Sequence, residues 1–183
     1  MKVSGGGFEQ CYNAQAGVDA PTMLVVATGV TQAPNDMQQV QPMIKALQEQ
    51  APKLGDAKTL IADTGYCSKD NVETCKEAQI EPLLSVARQD HHPHWRERFT
   101  EPAPLALDAT PMQAMQHRLS TIAGKAAYAL RKQTVEPVFG IIKSVMGFRQ
   151  FSMRGLRKVT GEWNLVCLAW NLKRMAVLRP KFG

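Results

Sequence analysis

The feature that most constrains the fold is a buried strand that ends in an aspartate and leads into a helix and a second strand. Residues 58–62 (Lys-Thr-Leu-Ile-Ala) have the short apolar pattern of a buried strand and run directly into residues 63–66 (Asp-Thr-Gly-Tyr). Ser68 is placed to cap a helix over about 69–78, and residues 80–86 are typical of another strand. Strand, helix and strand in succession predict a parallel βαβ unit, and therefore an α/β fold.

An antiparallel hairpin is predicted upstream of this unit. Residues 11–18 and 23–30 are rich in strand-forming side chains and are separated by a turn at Ala20-Pro21. Apolar side chains at helical spacing then predict a helix over about 36–50, which residues 52–56 should end. The sheet is therefore expected to be mixed, with helices packed on it.

The second half of the chain is expected to be mainly helical. Residues 88–111 contain several prolines and histidines with little periodicity, which predicts a loop insertion. Residues 112–146 have a helical pattern that Pro137 interrupts, and residues 147–155 form an arginine-rich break. A last helix is predicted over 156–178, with an apolar set that we expect to pack inward: Leu165, Val166, Leu168, Ala169, Leu172 and Val177.

Charge is unevenly distributed along the 183 residues, although the net charge is only +6. Residues 1–127 contain 11 Lys and Arg against 14 Asp and Glu, whereas residues 128–183 contain 11 against two acids, Glu136 and Glu162. Such asymmetry favours a polyanionic partner at the C-terminal end, and nucleic acid is the commonest. A solvated basic face without a partner remains an alternative at this point.

Composition excludes several other classes of protein. No run of eighteen apolar residues is present, so we expect no membrane span. The four cysteines, Cys11, Cys67, Cys75 and Cys167, form no CxxC pair, which favours a reduced, cytoplasmic protein. The length fits a single domain over residues 1–183.

Two carboxylates are candidates for catalysis. Asp63 lies where a buried strand ends, and such positions often hold catalytic groups because the strand fixes the side chain; a helix cap or turn aspartate is the alternative. Glu136 is the only acid between residues 109 and 161, on a strongly basic helical segment. On a continuous helix it would share one side with Tyr128, Arg131 and Lys143, although a simple salt bridge of Glu136 also explains it.

These residues carry a resemblance to a known family. The stretch from Tyr128 to Lys143 contains Arg131 and Glu136 at separations of two, four and six intervening residues, and resembles the Tyr–Arg–Glu–Lys signature of bacterial insertion-sequence transposases of the DDE type. Residues 60–66 resemble the family's strand with the second catalytic aspartate. The hairpin residues 12–19 and the later Asn35-Asp36 are also similar, so the resemblance covers nearly the whole chain.

The resemblance implies an RNase H-like fold with a metal site of three carboxylates. Asp63 would be the second catalytic aspartate and Glu136 the glutamate, both of them ligands of Mg²⁺ or Mn²⁺. Tyr128, Arg131 and Lys143 would contact DNA. The implied partners are transposon ends and target DNA, and a homo-oligomer is implied too, although no interface can be identified in the sequence.

The chain departs from the family pattern at the position of the family's first catalytic aspartate. That residue belongs to a strand preceding the hairpin, and no counterpart is present before residue 11, so we expect the sheet to lack its first strand. Asp19 is an alternative first ligand, but a hairpin turn also explains it. Two hypotheses therefore stand: a truncated transposase catalytic domain that cleaves and joins DNA, and a non-catalytic fragment that binds DNA through its basic C-terminal helices. A basic α/β domain with chance similarity is the third.

Overall fold

The predicted hairpin is present in a computed structural model, which describes residues 11–86 and 100–179. Strand β1 (Asn13–Val18) pairs antiparallel with β2 (Val25–Thr31), and the register is irregular between Gly17 and Val18. The described residues fold into two compact units. The hairpin belongs to the first unit, which contains the described residues up to Asn35 and those from Lys132 onward.

The second unit, Asp36–Arg131, contains the predicted βαβ arrangement. Helix α1 (Val40–Leu54) precedes β3 (Thr59–Ala62), helix α2 (Lys69–Glu77) and β4 (Glu81–Leu84). Strands β3 and β4 are parallel, as predicted, because α2 provides the crossover between them.

The ends of these two helices follow local backbone chemistry. Ser68 caps α2, since its hydroxyl accepts a 3.1 Å hydrogen bond from the Asn71 N–H. Helix α1 begins later than predicted, at Val40 after an N-cap at Gln39, and it continues past Pro52 to Leu54, within the segment 52–56 that was predicted to end it. Gly55, with a φ of 84°, ends it by donating its N–H to the carbonyl of Ala51.

The helical stretch predicted over 112–146 is three helices. These are α3 (Pro111–Ser120), α4 (Ile122–Gln133) and α5 (Val135–Ser144). Thr134, at φ −122° and ψ −75°, separates α4 from α5. Pro137 lies in the first turn of α5, so the predicted interruption near this proline is present, in the form of a new helix start.

The last helix, α6 (Leu156–Leu178), has the predicted length, but a different face is buried. Val159, Trp163, Cys167 and Trp170 face the core. Of the predicted set, Val166 packs against this core and is partly buried, whereas the others are exposed: Leu165, Leu168, Ala169, Leu172 and Val177. Two features select the tryptophan face. The Trp163 and Trp170 indole N–H groups donate to hairpin carbonyls of Gln15 and Met23, at 2.8 and 2.9 Å, and their rings bury large apolar areas.

The four strands form two separate two-stranded sheets, β1–β2 and β3–β4. No single mixed sheet joins them within residues 11–86 and 100–179. Each sheet packs against the hydrophobic core of its own unit. The hairpin packs on α5 and α6 around Trp163, while Val40, Ile44, Cys75 and Ile80 form one buried cluster in the second unit. Val72, Leu84 and Met115 form another.

Half of the predicted insertion at 88–111 lies outside the described residues; in the other half, residues 100–110 contain neither helix nor strand, and Pro111 begins α3. All four cysteines are free thiols. Burial raises the pKa of Cys75 to about 11 and that of Cys167 to about 12. Throughout the described part of the chain, every helix is too short or too polar to cross a membrane.

The junction between α3 and α4 leads to a first prediction. A side chain at Gly124 would overlap the backbone carbonyl of Arg118, which cannot swing away as a flexible side chain can. We expect Gly124→Ala to lower the free energy of unfolding by about 1–3 kcal/mol, the usual range for overpacking. Urea denaturation followed by circular dichroism measures it.

Gly140 in α5 is the matched control, because a Cβ there meets no atom within 4 Å. Gly140→Ala should raise the free energy of unfolding by about 0.5–1 kcal/mol, since alanine restricts the unfolded chain and favours helix. Equal effects of the two substitutions would contradict the close approach at Gly124.

Candidate active site

Asp63 occupies the position predicted for it, directly after the last residue of β3. Its backbone is extended, and its carboxylate accepts a 2.9 Å hydrogen bond from the N–H of Gly65, so it caps the single 3-10 turn Thr64–Tyr66. The side chain is 48% exposed. The alternative prediction, that Asp63 caps a turn, is therefore correct. The cap uses Oδ1, so the second carboxylate oxygen, Oδ2, is available to Arg131.

Arg131 and Tyr128 approach that oxygen from α4. The Arg131 Nη1 lies 3.7 Å from Asp63 Oδ2, and the guanidinium carbon lies 5.9 Å from the centre of the Tyr128 ring. The Arg131 side chain is only 24% exposed. Two motifs that are far apart in the sequence thus converge within one unit, in the order carboxylate, guanidinium and aromatic ring.

Asp36 is a neighbour of this group that sequence reasoning missed. It does not cap α1, since the N-cap of that helix is Gln39, whose N–H donates to the Asp36 carbonyl at 2.9 Å. A Cβ built on Gly65 would lie 3.2 Å from Asp63 Oδ1 and 3.4 Å from Asp36 Oδ2. Both carboxylates therefore border the same glycine, and any larger side chain there would press against both.

A buried asparagine fixes the two segments that carry these aspartates. The Asn71 side-chain amide donates 2.7 Å hydrogen bonds to the carbonyls of Met37 and Tyr66. Met37 follows Asp36, and Tyr66 closes the turn that Asp63 caps. Because Asn71 is buried, this bridge is shielded from water and holds the Asp36 segment beside the Asp63 turn. Residue spacing in the sequence did not predict this bridge, because Asn71 lies on α2, between β3 and β4.

Glu136 and Lys143 lie on a different helix from Tyr128 and Arg131, so the prediction that all four share one side of a single helix was wrong. Thr134 interrupts the chain between them, and the residues belong to different units. Glu136 is exposed in the first turn of α5. Lys143, also exposed, is in its last turn, with Nζ 5.9 Å from the Phe139 ring centre.

The alternative first ligand, Asp19, has a structural partner. Its Oδ2 accepts hydrogen bonds from the backbone N–H and the hydroxyl of Thr22, and its carbonyl accepts one from Met23. These bonds fasten the turn between β1 and β2. The carboxylate therefore has a sufficient role in the hairpin.

Asp63 and Asp36 provide the oxygen donors that a hard cation such as Mg²⁺ prefers. Within the described residues, however, no three His, Cys, Asp or Glu side chains gather closely enough to hold a metal ion. The donor chemistry at Asp63 fits a divalent cation, and the number of ligands gathered there is smaller than the three carboxylates that the sequence resemblance implies.

Comparison with known protein families shows the family of the chain. Residues 2–172 match the family model of the transposase DDE domain. The chain belongs to this family. The match runs through the Asp63 strand and the whole Tyr128–Lys143 stretch, so the resemblance inferred from those motifs is confirmed at the level of the DDE transposases. No curated protein and no solved structure matches the chain significantly.

The exposure of the Asp63–Arg131 pair leads to a second prediction, on the stability of this DDE domain. Ion pairs between exposed groups contribute about 0–1 kcal/mol, and asparagine caps a helical turn about as well as aspartate. We therefore expect Asp63→Asn to change the free energy of unfolding by less than about 1 kcal/mol. Asp63→Ala, which also removes the cap, should cost about 1 kcal/mol more. Unfolding of the asparagine variant would show that Asp63 is mainly structural.

Proposed function

We propose that this DDE domain performs the DNA cleavage and strand-transfer chemistry of an insertion-sequence transposase. The family match supports transposition in general. The observation that carries the finer proposal is the contact between Asp63, at the end of β3, and Arg131, in the Tyr–Arg–Glu–Lys stretch. A half-exposed carboxylate beside a guanidinium suits a site where a cation and a phosphate meet.

Asp63 and Glu136 are the proposed ligands of Mg²⁺ or Mn²⁺. When bound, two such ions would activate the attacking oxygen and stabilise the leaving oxygen of an in-line phosphoryl displacement. Asp63 is held for this task by the Gly65 N–H, which fixes one carboxylate oxygen and orients the other.

Arg131, Tyr128 and Lys143 are the proposed DNA-contacting residues. The guanidinium of Arg131 forms paired hydrogen bonds with phosphate oxygens readily, and in the absence of DNA it offsets the charge of Asp63 instead. The Tyr128 ring limits the orientations of that guanidinium. Lys143 is exposed and adds a further positive charge for the phosphate backbone of a transposon end or of target DNA.

The third carboxylate and the first strand are proposed to belong to a segment before the hairpin. Each described strand has one strand neighbour, and a parallel pair such as β3–β4 usually belongs to a larger sheet. An added strand ending in aspartate would complete an RNase H-like mixed sheet. In this proposal residues 1–183 are one partial DDE domain of a cytoplasmic, oligomeric enzyme, residues 88–111 are its insertion, and catalysis is impaired.

The second candidate function is DNA binding without catalysis. The exposed basic side chains of Lys143, Arg149 and Arg154 favour it, because they would contact DNA without a metal ion. The two candidates differ in one measurable property, which is metal-dependent strand cleavage. Both require that the chain bind DNA.

The third prediction concerns cleavage of supercoiled plasmid DNA with Mn²⁺. If the chain retains the reaction, Glu136→Gln and Asp63→Asn should each abolish it, because each removes a charge that holds the cation. Glu77→Gln and Asp70→Asn in α2 are the matched controls and should leave the rate unchanged. Omission of Mn²⁺, or addition of a chelator, should stop cleavage by the unsubstituted chain.

Each outcome of this assay has a distinct meaning. Cleavage that survives both site substitutions would reject the proposed metal ligands. No cleavage by the unsubstituted chain, combined with DNA binding, would favour the non-catalytic candidate. Translation of the DNA upstream of the Met1 codon would then show whether a strand ending in aspartate precedes the hairpin, and fusion of that segment should restore Mn²⁺-dependent cleavage. If cleavage needs no such segment, loss of activity in Asp19→Asn would assign the first ligand to Asp19.

The fourth prediction concerns DNA affinity and holds for both candidates. Arg131→Ala should weaken binding to duplex DNA and reduce the slope of log Kobs against log salt by about 0.9 if one phosphate contact is lost. Lys53→Ala, in α1 of the same unit, should change neither quantity. An unchanged slope in Arg131→Ala would remove Arg131 from the DNA contact.

A further inference from the structure

The segment that joins α5 to α6 is rich in basic residues and contains no acid of its own. Between Lys143 and Lys158 the sequence contains five basic residues and no Asp or Glu, and all five side chains are exposed. They are Lys143, Arg149, Arg154, Arg157 and Lys158. We call residues 145–155 the arginine loop. It begins where α5 ends, at Val145, and ends at the Gly155 N-cap of α6.

Backbone hydrogen bonds hold the arginine loop in one conformation. The Glu162 carboxylate, in the second turn of α6, accepts bonds from the N–H groups of Ser152 and Met153, at 2.9 and 3.1 Å. The hydroxyl of Tyr12, next to β1, accepts a 2.8 Å bond from the N–H of Gly155. The loop is therefore tied both to the helix that follows it and to the hairpin.

Aromatic rings anchor the other side of the loop. The Phe148 and Phe151 rings meet edge to face at a centroid distance of 5.3 Å. Phe151 also contacts Tyr12 at 5.9 Å, and Phe148 contacts the buried Trp163 at 6.1 Å. Because these rings pack against the core of the first unit, Arg149 between them is turned towards solvent, and Arg154 after them is exposed as well.

The acid that the described part of the chain places against this surface has a structural role. Glu162 is the sole Asp or Glu after Glu136, and its carboxylate faces the loop backbone. The hydrogen bond from the Ser152 N–H lowers its pKa from the usual value. Like charges on a fixed loop repel one another, so this arrangement is explained better by a polyanionic ligand than by the stability of the unit.

We propose that the arginine loop and the first turn of α6 form a preformed contact surface for the phosphate backbone of duplex DNA, additional to the Tyr–Arg–Glu–Lys residues. This inference rests on the proposed function, which makes DNA the substrate. A loop that is already held in one conformation loses less conformational entropy when it binds phosphates than a flexible loop does. The surface continues from Lys143, because the Arg149 Nε donates a 3.4 Å hydrogen bond to the Lys143 carbonyl.

Salt-dependent binding of the whole chain to a duplex oligonucleotide tests the charge part of the proposal. The variant Arg149→Gln/Arg154→Gln/Arg157→Gln should lower the slope of log Kobs against log salt by about 2.7, or about 0.9 for each lost phosphate contact. Lys158→Gln should lower it by about 0.9. Lys173→Gln is the matched control: it is an exposed lysine of the same helix, about 22 Å further along, and its slope should not change.

Glu162→Ala tests whether the fixed conformation matters. This substitution makes the surface more positive, so binding governed by charge alone would become tighter. With a preformed loop, we expect binding to become several-fold weaker despite the added positive charge, and Glu162→Gln should fall between, since its amide oxygen still accepts one hydrogen bond. Circular dichroism confirms that each variant is folded.

The outcomes separate the two proposals. If the unsubstituted chain binds no DNA, both fail. If it binds and Arg131→Ala lowers the slope, while the triple variant behaves like Lys173→Gln, only the arginine-loop surface is overturned. Tighter binding of Glu162→Ala would overturn the preformed loop. Stronger binding to duplex RNA than to duplex DNA would reject DNA as the partner of this surface.

Discussion

The proline at position 137 is the constraint on which the arrangement of the signature residues depends. A proline inside a helix has no N–H for the carbonyl four residues earlier, and its ring collides with that carbonyl. A continuous helix from α4 through α5 is therefore strongly disfavoured, and the helical structure is interrupted at Thr134. The break gives Arg131 and Glu136 separate supports. Arg131 is positioned by α4 against Asp63, while Glu136 stands in the first turn of α5, where a negative charge is favourable next to the free N–H groups.

Helix α6 holds the hairpin in place through side-chain hydrogen bonds to its backbone. Its Asn171 side chain binds both the N–H and the carbonyl of Val25, at 2.8 Å each, and so satisfies backbone groups at the start of β2. The indole groups of Trp163 and Trp170 bind carbonyls at Gln15 and Met23 of the same hairpin. A two-stranded sheet is marginal in water by itself, and these bonds, with the apolar core beneath them, explain why β1 and β2 are ordered.

The sequence predicted local structure well where a residue type has one dominant use. The Ser68 cap, the parallel pair β3–β4, the arginine-rich break and the extent of α6 all follow from such residues. The buried face of α6 was not predictable, because both the tryptophan and the leucine positions repeat at helical spacing and only the hairpin carbonyls decide between them. At the site, Asp63, Tyr128 and Arg131 meet as the motifs implied. Asp36 was missed because its closeness depends on the Asn71 bridge, a tertiary contact without a local signature.

The geometry of the Asp63–Arg131 pair has a consequence for a cation site. At 3.7 Å the two groups are further apart than a direct charge-assisted hydrogen bond, which is about 2.7–2.9 Å. Asp63 is also half exposed, so water screens the attraction and the pair contributes little stability. A weak pair is exchanged readily: in the proposed site, a cation that bound Asp63 would displace a partner that was held loosely, and the released guanidinium would remain beside it. The same arginine would then offset the charge of the carboxylate before a cation bound and offer its hydrogen bonds to a phosphate afterwards. A shorter, buried pair would compete with both events.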